Sequence, residues 1–360
     1  MAEQIPFTRG VPSADLLPIE QLRASAQTAF ETDAVQALSY TPDGHPGLRS
    51  WIGARHGVGA DQVICANGSL ELFSFVAAVL LGAAPTRRVI VEAPTYDRSI
   101  LILQRLGAEV VGVPVDQNGM VVEALEEELA KGPAALVYTI PNFQNPSGAT
   151  LSRDRREALC ALAARDGFTI VEDDPYGLLR WAGEPQPTIH SLAPEHVVTM
   201  SSFTKTVAPG LRIGYCVAAP LLAKAIGAYA TNTYISPSML PQATLAAYCA
   251  AGHFEPGVER ATAALSERCA AMVQAVREHF PSTARLVVPQ GGYFLWIDLG
   301  SGADTGALAV RAQAEGVPFV KGADFFADGA GGTALRLAFS AVLPPQIAVG
   351  IERLGALIPR

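Results

Sequence analysis

The first 60 residues are patterned as an extended arm followed by helices. Residues 1–20 contain three separated prolines, which favour an arm lying over the protein surface because proline cannot sit inside a helix. Residues 19–38 have apolar side chains at helical spacing. Pro-Asp-Gly and Pro-Gly turns follow, and we expect the next helix to begin near Leu48.

From Asp61 onward, short apolar runs alternate with helical segments. Strands covered on both faces have this continuous apolar character, so the pattern predicts a mainly parallel sheet between helices. The seven expected strands are Val63–Ala66, Arg88–Glu92, Glu109–Pro114, Ala135–Thr139, Phe168–Glu172, Val197–Ser201 and Arg212–Val217. The helices between them are expected near 69–82, 96–107, 121–131 and 152–166. In such a sheet, ligands bind beyond the carboxyl ends of the strands.

The last third of the chain is patterned as a second, smaller α+β unit. A helical tract from about Pro220 to Cys249 is broken by two proline steps, and another helix is expected over 258–280. The strands expected after it are Leu286–Val288, Gly292–Leu299, Val317–Val320 and Leu335–Phe339, the third limited to a sheet edge by Pro318. We therefore expect three parts: an arm with part of the small domain (1–45), a large domain (46–250) and a small domain (251–360).

Composition excludes several classes of function. A net charge of −8 and a pI near 5.3 leave no basic surface for nucleic acid. The amino terminus lacks the features of a secretory signal, and no apolar run reaches the length of about 20 residues that spans a bilayer. Five dispersed cysteines and six dispersed histidines fit neither a disulfide framework nor a metal site. We expect a cytoplasmic protein with no metal, membrane or nucleic-acid partner.

Lys205, one of four lysines, lies in the segment Met200–Tyr215. It follows an apolar strand and precedes a Pro-Gly turn, with hydroxyl groups before it and Arg212 seven residues after it. An amine in this setting suits a Schiff base with an aldehyde cofactor whose phosphate is held by the hydroxyls and the guanidinium. The alternative is an ordinary surface lysine.

Two other strand ends carry candidate ligand-binding groups. Asn67-Gly68-Ser69 opens a helix, where free N–H groups and the helix dipole attract an anion; a plain turn with a serine cap is the alternative. Tyr96 follows the second strand, where its ring could stack on a flat cofactor, although most tyrosines only pack.

The next two strand ends supply an amide and a run of acids. Asn145 lies in a turn restricted by two prolines and a glycine, which can present the amide to a pocket. Asp173 lies within three consecutive acids, and its carboxylate could hold a pyridine nitrogen protonated. Tyr176 is then placed to meet the phenolic oxygen of the ring. Polar turns without a function remain the alternatives at both places.

Arg336 is the one charged residue within the last apolar strand. Burying an unpaired charge is costly, so it requires a partner. A substrate carboxylate and a structural ion pair are the two interpretations.

Taken together, these residues resemble the class I/II aminotransferases of fold type I, which depend on pyridoxal 5'-phosphate. The likeness is strongest to the 2-aminoadipate/kynurenine aminotransferase branch, which is related to the aminotransferase domain of GntR-type fusion regulators. The matching segments include Asn67-Gly68-Ser69, Pro94-Thr95-Tyr96, Asn145-Pro146-Ser147-Gly148, Asp173-Asp174-Pro175-Tyr176, Ser202-Phe203-Thr204-Lys205, Pro209-Gly210-Leu211-Arg212, Gly291-Gly292-Tyr293-Phe294 and Leu335-Arg336-Leu337.

The resemblance implies a role for each matching residue. Lys205 carries the Schiff base and moves protons, and Asp173 pairs with the pyridine nitrogen. The other expected cofactor ligands are Gly68, Ser69, Leu70, Tyr96, Asn145, Tyr176, Ser202 and Arg212. Arg336 and Asn145 take the substrate carboxylate. Tyr40 reaches the phosphate of a neighbouring subunit, which implies a homodimer with shared sites.

Three positions depart from the family pattern and bear on substrate choice. Leu70 replaces a common glutamine, Lys321 replaces a common proline, and Arg9 stands in the arm where a small residue is usual. The resemblance implies amino-group transfer from an L-amino acid to a 2-oxo acid. A lyase, cyclase or oxidase acting through the same cofactor is the second hypothesis, and a non-catalytic ligand-sensing module is the third.

Overall fold

Two β-sheets organise the computed structural model, which describes residues 4–359. The α-helices are α1 (Ile19–Ala37), α2 (Pro46–His56), α3 (Ser69–Ala83), α4 (Asp97–Arg105), α5 (Val122–Ala130), α6 (Arg153–Asp166), α7 (Ile189–Leu192), α8 (Pro220–Tyr234), α9 (Met239–Ala250), α10 (Phe254–His279), α11 (Thr305–Ala314) and α12 (Pro344–Ala356). The strands are β1 (Val63–Ala66), β2 (Arg88–Ala93), β3 (Glu109–Asp116), β4 (Gly119–Met120), β5 (Leu136–Thr139), β6 (Thr169–Asp173), β7 (Val197–Ser202), β8 (Gly214–Val217), β9 (Arg285–Leu286), β10 (Phe294–Asp298), β11 (Val320–Lys321) and β12 (Ala334–Ala338).

The larger sheet confirms the predicted α/β architecture. Its order is β1-β8-β7-β6-β5-β2-β3-β4, and the contiguous strands β7, β6, β5, β2 and β3 are all parallel. In β2, β5, β6 and β7 the central residues are buried because helices cover both faces, which is why these strands read as continuous apolar runs, whereas β3 is mostly partly buried or exposed. The sheet has eight strands where seven were expected, because the chain turns back after β3 and adds the two-residue β4 at the edge.

The strand expected over Arg212–Val217 begins later than its sequence suggests. A short 3₁₀ turn (Pro209–Leu211) is followed by Arg212 in the left-handed region at φ 53°, and β8 starts only at Gly214. The expectation that Arg212 lies on a strand is therefore wrong. The Pro-Gly turn reverses the chain, so β8 runs antiparallel to both β7 and β1.

The smaller sheet is antiparallel and has the order β11-β12-β10-β9. The arm lies against this part of the protein: Phe7 N–H donates to the Pro318 carbonyl (2.8 Å), and Ala338 N–H donates to the Phe7 carbonyl (2.8 Å). Pro318 precedes β11, which is at the sheet edge as expected. The carbonyl of Pro318 can accept a bond from the arm although its nitrogen has no proton to donate.

The division into 1–45, 46–250 and 251–360 stays a prediction. Its outermost residues, 1–3 and 360, lie outside the described residues. Among residues 4–359, no helix is long and apolar enough to cross a membrane, and no cluster of three His, Cys, Asp or Glu side chains could hold a metal ion. All five cysteines are buried as free thiols.

Candidate active site

A cavity of ≈ 560 Å³ lies at the carboxyl ends of the central strands, between the large sheet, the arm and the small sheet. The predicted site residues that line it are Ser69, Leu70, Tyr96, Asn145, Asp173, Tyr176, Ser202, Lys205, Arg212 and Arg336. Gly68 lies at its edge, against Arg212. Tyr40 does not line this cavity and is 80% exposed. Arg9, from the arm, also lines the cavity and has no salt-bridge partner among residues 4–359.

Lys205 follows β7 and points into the cavity. Its Nζ donates to the Gly10 carbonyl of the arm (2.5 Å), and its own backbone carbonyl accepts a bond from the Tyr293 hydroxyl (2.6 Å). Burial and the nearby positive charges of Arg336 and Arg212 lower the pKa of Lys205 to about 8, while Asp173 opposes this effect. A larger fraction of the amine is therefore neutral, and nucleophilic, near pH 7 than for an ordinary lysine.

Asp173 lies at the end of β6 with its two oxygens in different situations. Oδ2 accepts a hydrogen bond from the Tyr138 hydroxyl (2.6 Å), whereas Oδ1 is buried and has no partner in the described part of the chain. Burial raises the pKa of Asp173 to about 6; Asp174 also raises it, and the Tyr138 bond and Lys205 lower it. An unpartnered buried acceptor facing a cavity marks the place where a ligand donor would be stabilised.

The neighbouring acids, Glu172 and Asp174, are directed to other partners. Glu172 is fully buried and lies 3.9 Å from the guanidinium of Arg156, which is also fully buried. Asp174 accepts bonds from Asn142 Nδ2 (2.9 Å) and from Gly177 N–H (2.8 Å). The three consecutive acids are thus accommodated by separate sets of donors, and only Asp173 lines the cavity.

The amino terminus of α3 forms one end of the cavity. Gly68 has φ 101°, and α3 begins after it without any side-chain cap, so the first N–H groups of the helix have no capping acceptor. The alternative of a serine cap is therefore wrong for Ser69. A Cβ atom at Gly68 would collide with Arg212 Nη2, which shows how closely the guanidinium approaches this turn. Helix N–H groups, a guanidinium and the Ser202 hydroxyl together suit a phosphate.

Arg336 also lines the cavity and is 6% exposed. Its Nη1 donates to Asn145 Oδ1 (2.8 Å) and its Nη2 to the Thr8 carbonyl (2.7 Å), while Nε is buried without a partner. The guanidinium carbon lies 4.1 Å from the Phe294 ring centroid and 4.8 Å from that of Phe325. Burial lowers the pKa of Arg336 to about 10. It forms no salt bridge within residues 4–359, which removes the structural ion pair from the two interpretations.

The two aromatic residues differ in their surroundings. Tyr176 is 3% exposed, and its ring lies 5.6 Å from that of Tyr293 and 5.8 Å from Lys205 Nζ. Tyr96 is partly buried and immediately precedes α4. Both line the cavity, so each combines packing with access to a ligand.

Several residues of the site were missed from sequence. Tyr138 is one apolar-looking position within the buried strand β5, and nothing local indicates that its hydroxyl reaches Asp173. The arm was expected to lie over the protein surface, but not to contact Lys205 and Arg336 through the carbonyls of Gly10 and Thr8. Tyr293 belongs to a recognised motif, yet no spacing rule predicted its bond to the lysine loop.

Comparison with known families and proteins gives consistent results. The family described as "Aminotransferase class I and II" matches residues 2–354. Aromatic-amino-acid aminotransferase 1 of Thermococcus litoralis is 32% identical over 99% of this chain and 88% of its own length. HTH-type transcriptional regulators also match over most of the chain.

Solved structures of similar proteins superpose on nearly the whole chain. Pyrococcus horikoshii kynurenine aminotransferase, solved with PMP, is 32% identical with a TM-score of 0.94, covering 99% of this chain and 91% of that one. LysN, an α-aminoadipate aminotransferase of Thermus thermophilus complexed with N-(5'-phosphopyridoxyl)-L-leucine, is 30% identical with a TM-score of 0.93, covering 98% and 92%.

Proposed function

The chain belongs to the class I and II aminotransferase family and is a pyridoxal-phosphate-dependent aminotransferase, and we propose that Lys205 is its Schiff-base amine. The observation that carries this assignment is one cavity in which an amine of lowered pKa and an unpartnered carboxylate oxygen, on Asp173, occur together. The protein transfers the amino group of an amino acid to a 2-oxo acid.

The residues present fit the cofactor. The Oδ1 atom of Asp173 is a buried acceptor to which no donor of residues 4–359 is bonded, as a protonated ring nitrogen requires. A side chain at Gly68 would displace the Arg212 guanidinium that approaches this turn, as expected of a phosphate cradle. When bound, pyridoxal phosphate supplies an electron-withdrawing ring that makes the α-hydrogen of an amino acid acidic.

We assign the remaining cofactor contacts from the lining of the cavity. Ser69, Ser202 and Arg212 would hold the phosphate, with Gly68 and Leu70 beside it. Tyr96 would lie on the ring face, and Asn145 and Tyr176 would hold the phenolic oxygen. Each of these side chains except Gly68 lines the cavity directly.

The chain's own proton chemistry centres on Nζ of Lys205. Because its pKa is lowered to about 8, Nζ can accept a proton near neutral pH and donate it again after a small change in its surroundings. The Tyr293 hydroxyl bond to the Lys205 carbonyl fixes the backbone from which the amine reaches. The Gly10 carbonyl, which receives a bond from Nζ, shields the amine from solvent on the arm side.

Substrate orientation is assigned to Arg336 and Asn145. The guanidinium is held between two aromatic rings and bonded to the Asn145 amide oxygen, so its direction is fixed before substrate arrives. A fixed guanidinium binds a carboxylate with two parallel bonds. Arg9 lines the same cavity and has no ion-pair partner in the described part of the chain, so it is placed to influence which substrate side chain is accepted.

We further propose a cytoplasmic homodimer with shared sites. Apolar side chains are exposed around the end of α1: Val35 is 82% exposed, Leu38 69%, Tyr40 80% and, after α8, Ile235 56%. Such a patch favours burial against another protein surface. In a dimer, Tyr40 would reach the phosphate of the neighbouring site. Five buried free thiols are typical of a reducing compartment.

An absorbance experiment tests the proposed function. The purified protein with bound cofactor is mixed with single amino acids, and the visible absorbance of the cofactor is followed. We expect its loss with a suitable donor and its return on addition of 2-oxoglutarate or pyruvate. Release of ammonia from the amino acid, with no return of the absorbance, would instead indicate a lyase or oxidase.

A further inference from the structure

We propose that Tyr138 is a positioning residue that directs Asp173, holding one carboxylate oxygen so that the other faces the cofactor ring. This inference rests on the proposed role of Asp173. Tyr138 lies on β5 and Asp173 at the end of the adjacent parallel strand β6, where Tyr138 pairs with Val171 in the register. The neighbouring strand therefore brings the phenol to the carboxylate.

The geometry fixes both ends of this contact. Tyr138 is fully buried, and its ring packs against that of Phe73 with centroids 5.0 Å apart. Its hydroxyl lies 2.6 Å from Asp173 Oδ2. The phenol donates its proton to Asp173, and the nearby hydroxyl of Ser99, also buried, lowers the pKa of Tyr138 against the larger effect of burial.

The result is a carboxylate with only one free acceptor. Asp173 Oδ1 is buried and unpartnered within residues 4–359, while Oδ2 is occupied by Tyr138. Without the phenol, both oxygens would compete for a single donor in the cavity, and the carboxyl group could rotate. A carboxylate held in one orientation presents a preformed acceptor and requires no reorganisation when the ring binds.

The same bond favours the ionised form of Asp173. Burial raises the pKa of Asp173 to about 6, and the hydrogen bond from Tyr138 is the largest effect that lowers it. The other titratable groups that interact with Asp173 are Asp174, Lys205, Glu92, Tyr96 and Tyr176. Since burial raises the pKa of Tyr138 well above its usual value, the phenol stays protonated and remains a donor throughout the working pH range.

The test compares Tyr138→Phe with Thr199→Val. Tyr138→Phe removes one hydroxyl and retains the ring that packs on Phe73. Thr199→Val is a matched control, because Thr199 also donates at 2.6 Å to a buried carboxylate, that of Glu172, which does not line the cavity. Thermal unfolding of both variants measures the purely structural cost of losing such a bond.

Two measurements report the state of Asp173. Infrared difference spectra of the apoprotein, taken against Asp173→Asn across a pH series, give the midpoint of its protonation. The acid limb of the pH profile of kcat/KM, measured on the enzyme with bound cofactor, shows how protonation of Asp173 affects catalysis. In Tyr138→Phe we expect both to move upward by about 1–2 pH units, the size of one hydrogen bond to a charged group. Thr199→Val should leave both in place.

A second variant covers the case in which Tyr138→Phe does not fold. Ser99→Ala removes the hydroxyl that lowers the pKa of Tyr138 and so weakens the phenol as a donor, and the same midpoints should rise by a smaller amount. Unchanged midpoints in a folded Tyr138→Phe protein would overturn the inference. If the wild-type protein binds no cofactor or exchanges no amine, the proposed function fails instead, and the two failures are therefore distinguishable.

Discussion

Replacement of Arg336 tests the substrate side of the site most directly. Its guanidinium is nearly fully buried, bonded to Asn145 and to the Thr8 carbonyl, and it retains an unpartnered Nε. The described part of the chain provides no counter-ion for it. A substrate carboxylate would be its charged partner, so in Arg336→Ala that carboxylate would enter a dry pocket unpaired.

The magnitude follows from the burial of this contact. Removing one partner of a buried, hydrogen-bonded charge pair costs about 2–5 kcal/mol. At about 1.4 kcal/mol for each factor of ten, kcat/KM for an amino acid should fall roughly 30-fold to 4,000-fold. Most of the loss should appear in KM, since the contact is made before the chemical step. Arg336→Lys keeps the charge but not the paired donors, so it should recover only part of the loss.

Steady-state kinetics with two kinds of substrate provide the control. The two substrates are an amino acid and a primary amine with the same side chain but no carboxylate. The amine should react equally well with the wild-type protein and with Arg336→Ala. Affinity for pyridoxal phosphate should also stay unchanged. Equal losses for the amine and the amino acid, or an unchanged KM for the amino acid, would refute the assignment of Arg336 to the carboxylate.

Three further predictions concern the cofactor side. Lys205→Ala should lose the imine-type visible absorbance of the bound cofactor while retaining the far-ultraviolet circular dichroism of the folded protein; turnover at the wild-type rate would contradict the assignment. Because the pKa of Lys205 is lowered from 10.5 to about 8, about a tenth of the amine is neutral at pH 7, so capture of pyridoxal phosphate by the apoprotein should accelerate with pH and level off above about pH 8. A rate that still rises toward pH 10 would show an ordinary lysine. Gly68→Ala should raise the cofactor Kd at least about tenfold by displacing Arg212, whereas Gly302→Ala, at a comparable φ of 92° but with open space around it, should change stability alone; equal Kd values in the two variants would count against a phosphate site at this turn.

The sequence by itself determined the architecture and the places where chemistry could occur. Short apolar runs that alternate with helical segments predict a sheet covered on both faces. The bounds of the parallel strands β2, β5, β6 and β7 agree closely with the predicted runs. The polar and charged groups at the ends of these runs indicated where a ligand would bind. The family resemblance then attached roles to residues whose local patterns alone left ordinary alternatives open.

Tertiary structure decided what each of those groups faces. Arg336 could have been half of an ion pair. Only the folded chain shows that its partners are the side-chain amide of Asn145, 191 positions away, and the Thr8 carbonyl of the arm, 328 positions away. Tyr138 reads as one more apolar position until the register of β5 and β6 places its hydroxyl on Asp173. Arg212 was expected on a strand and lies in a left-handed turn.

The physical reason is how far apart along the chain the residues lie that determine each property. Periodicity and turn residues report which face a residue buries, because these depend on neighbours within a few positions. The charge state of Lys205 and the free oxygen of Asp173 depend instead on groups brought together from the arm, two sheets and the loop after β7. Those distances exist only once the chain has closed on itself.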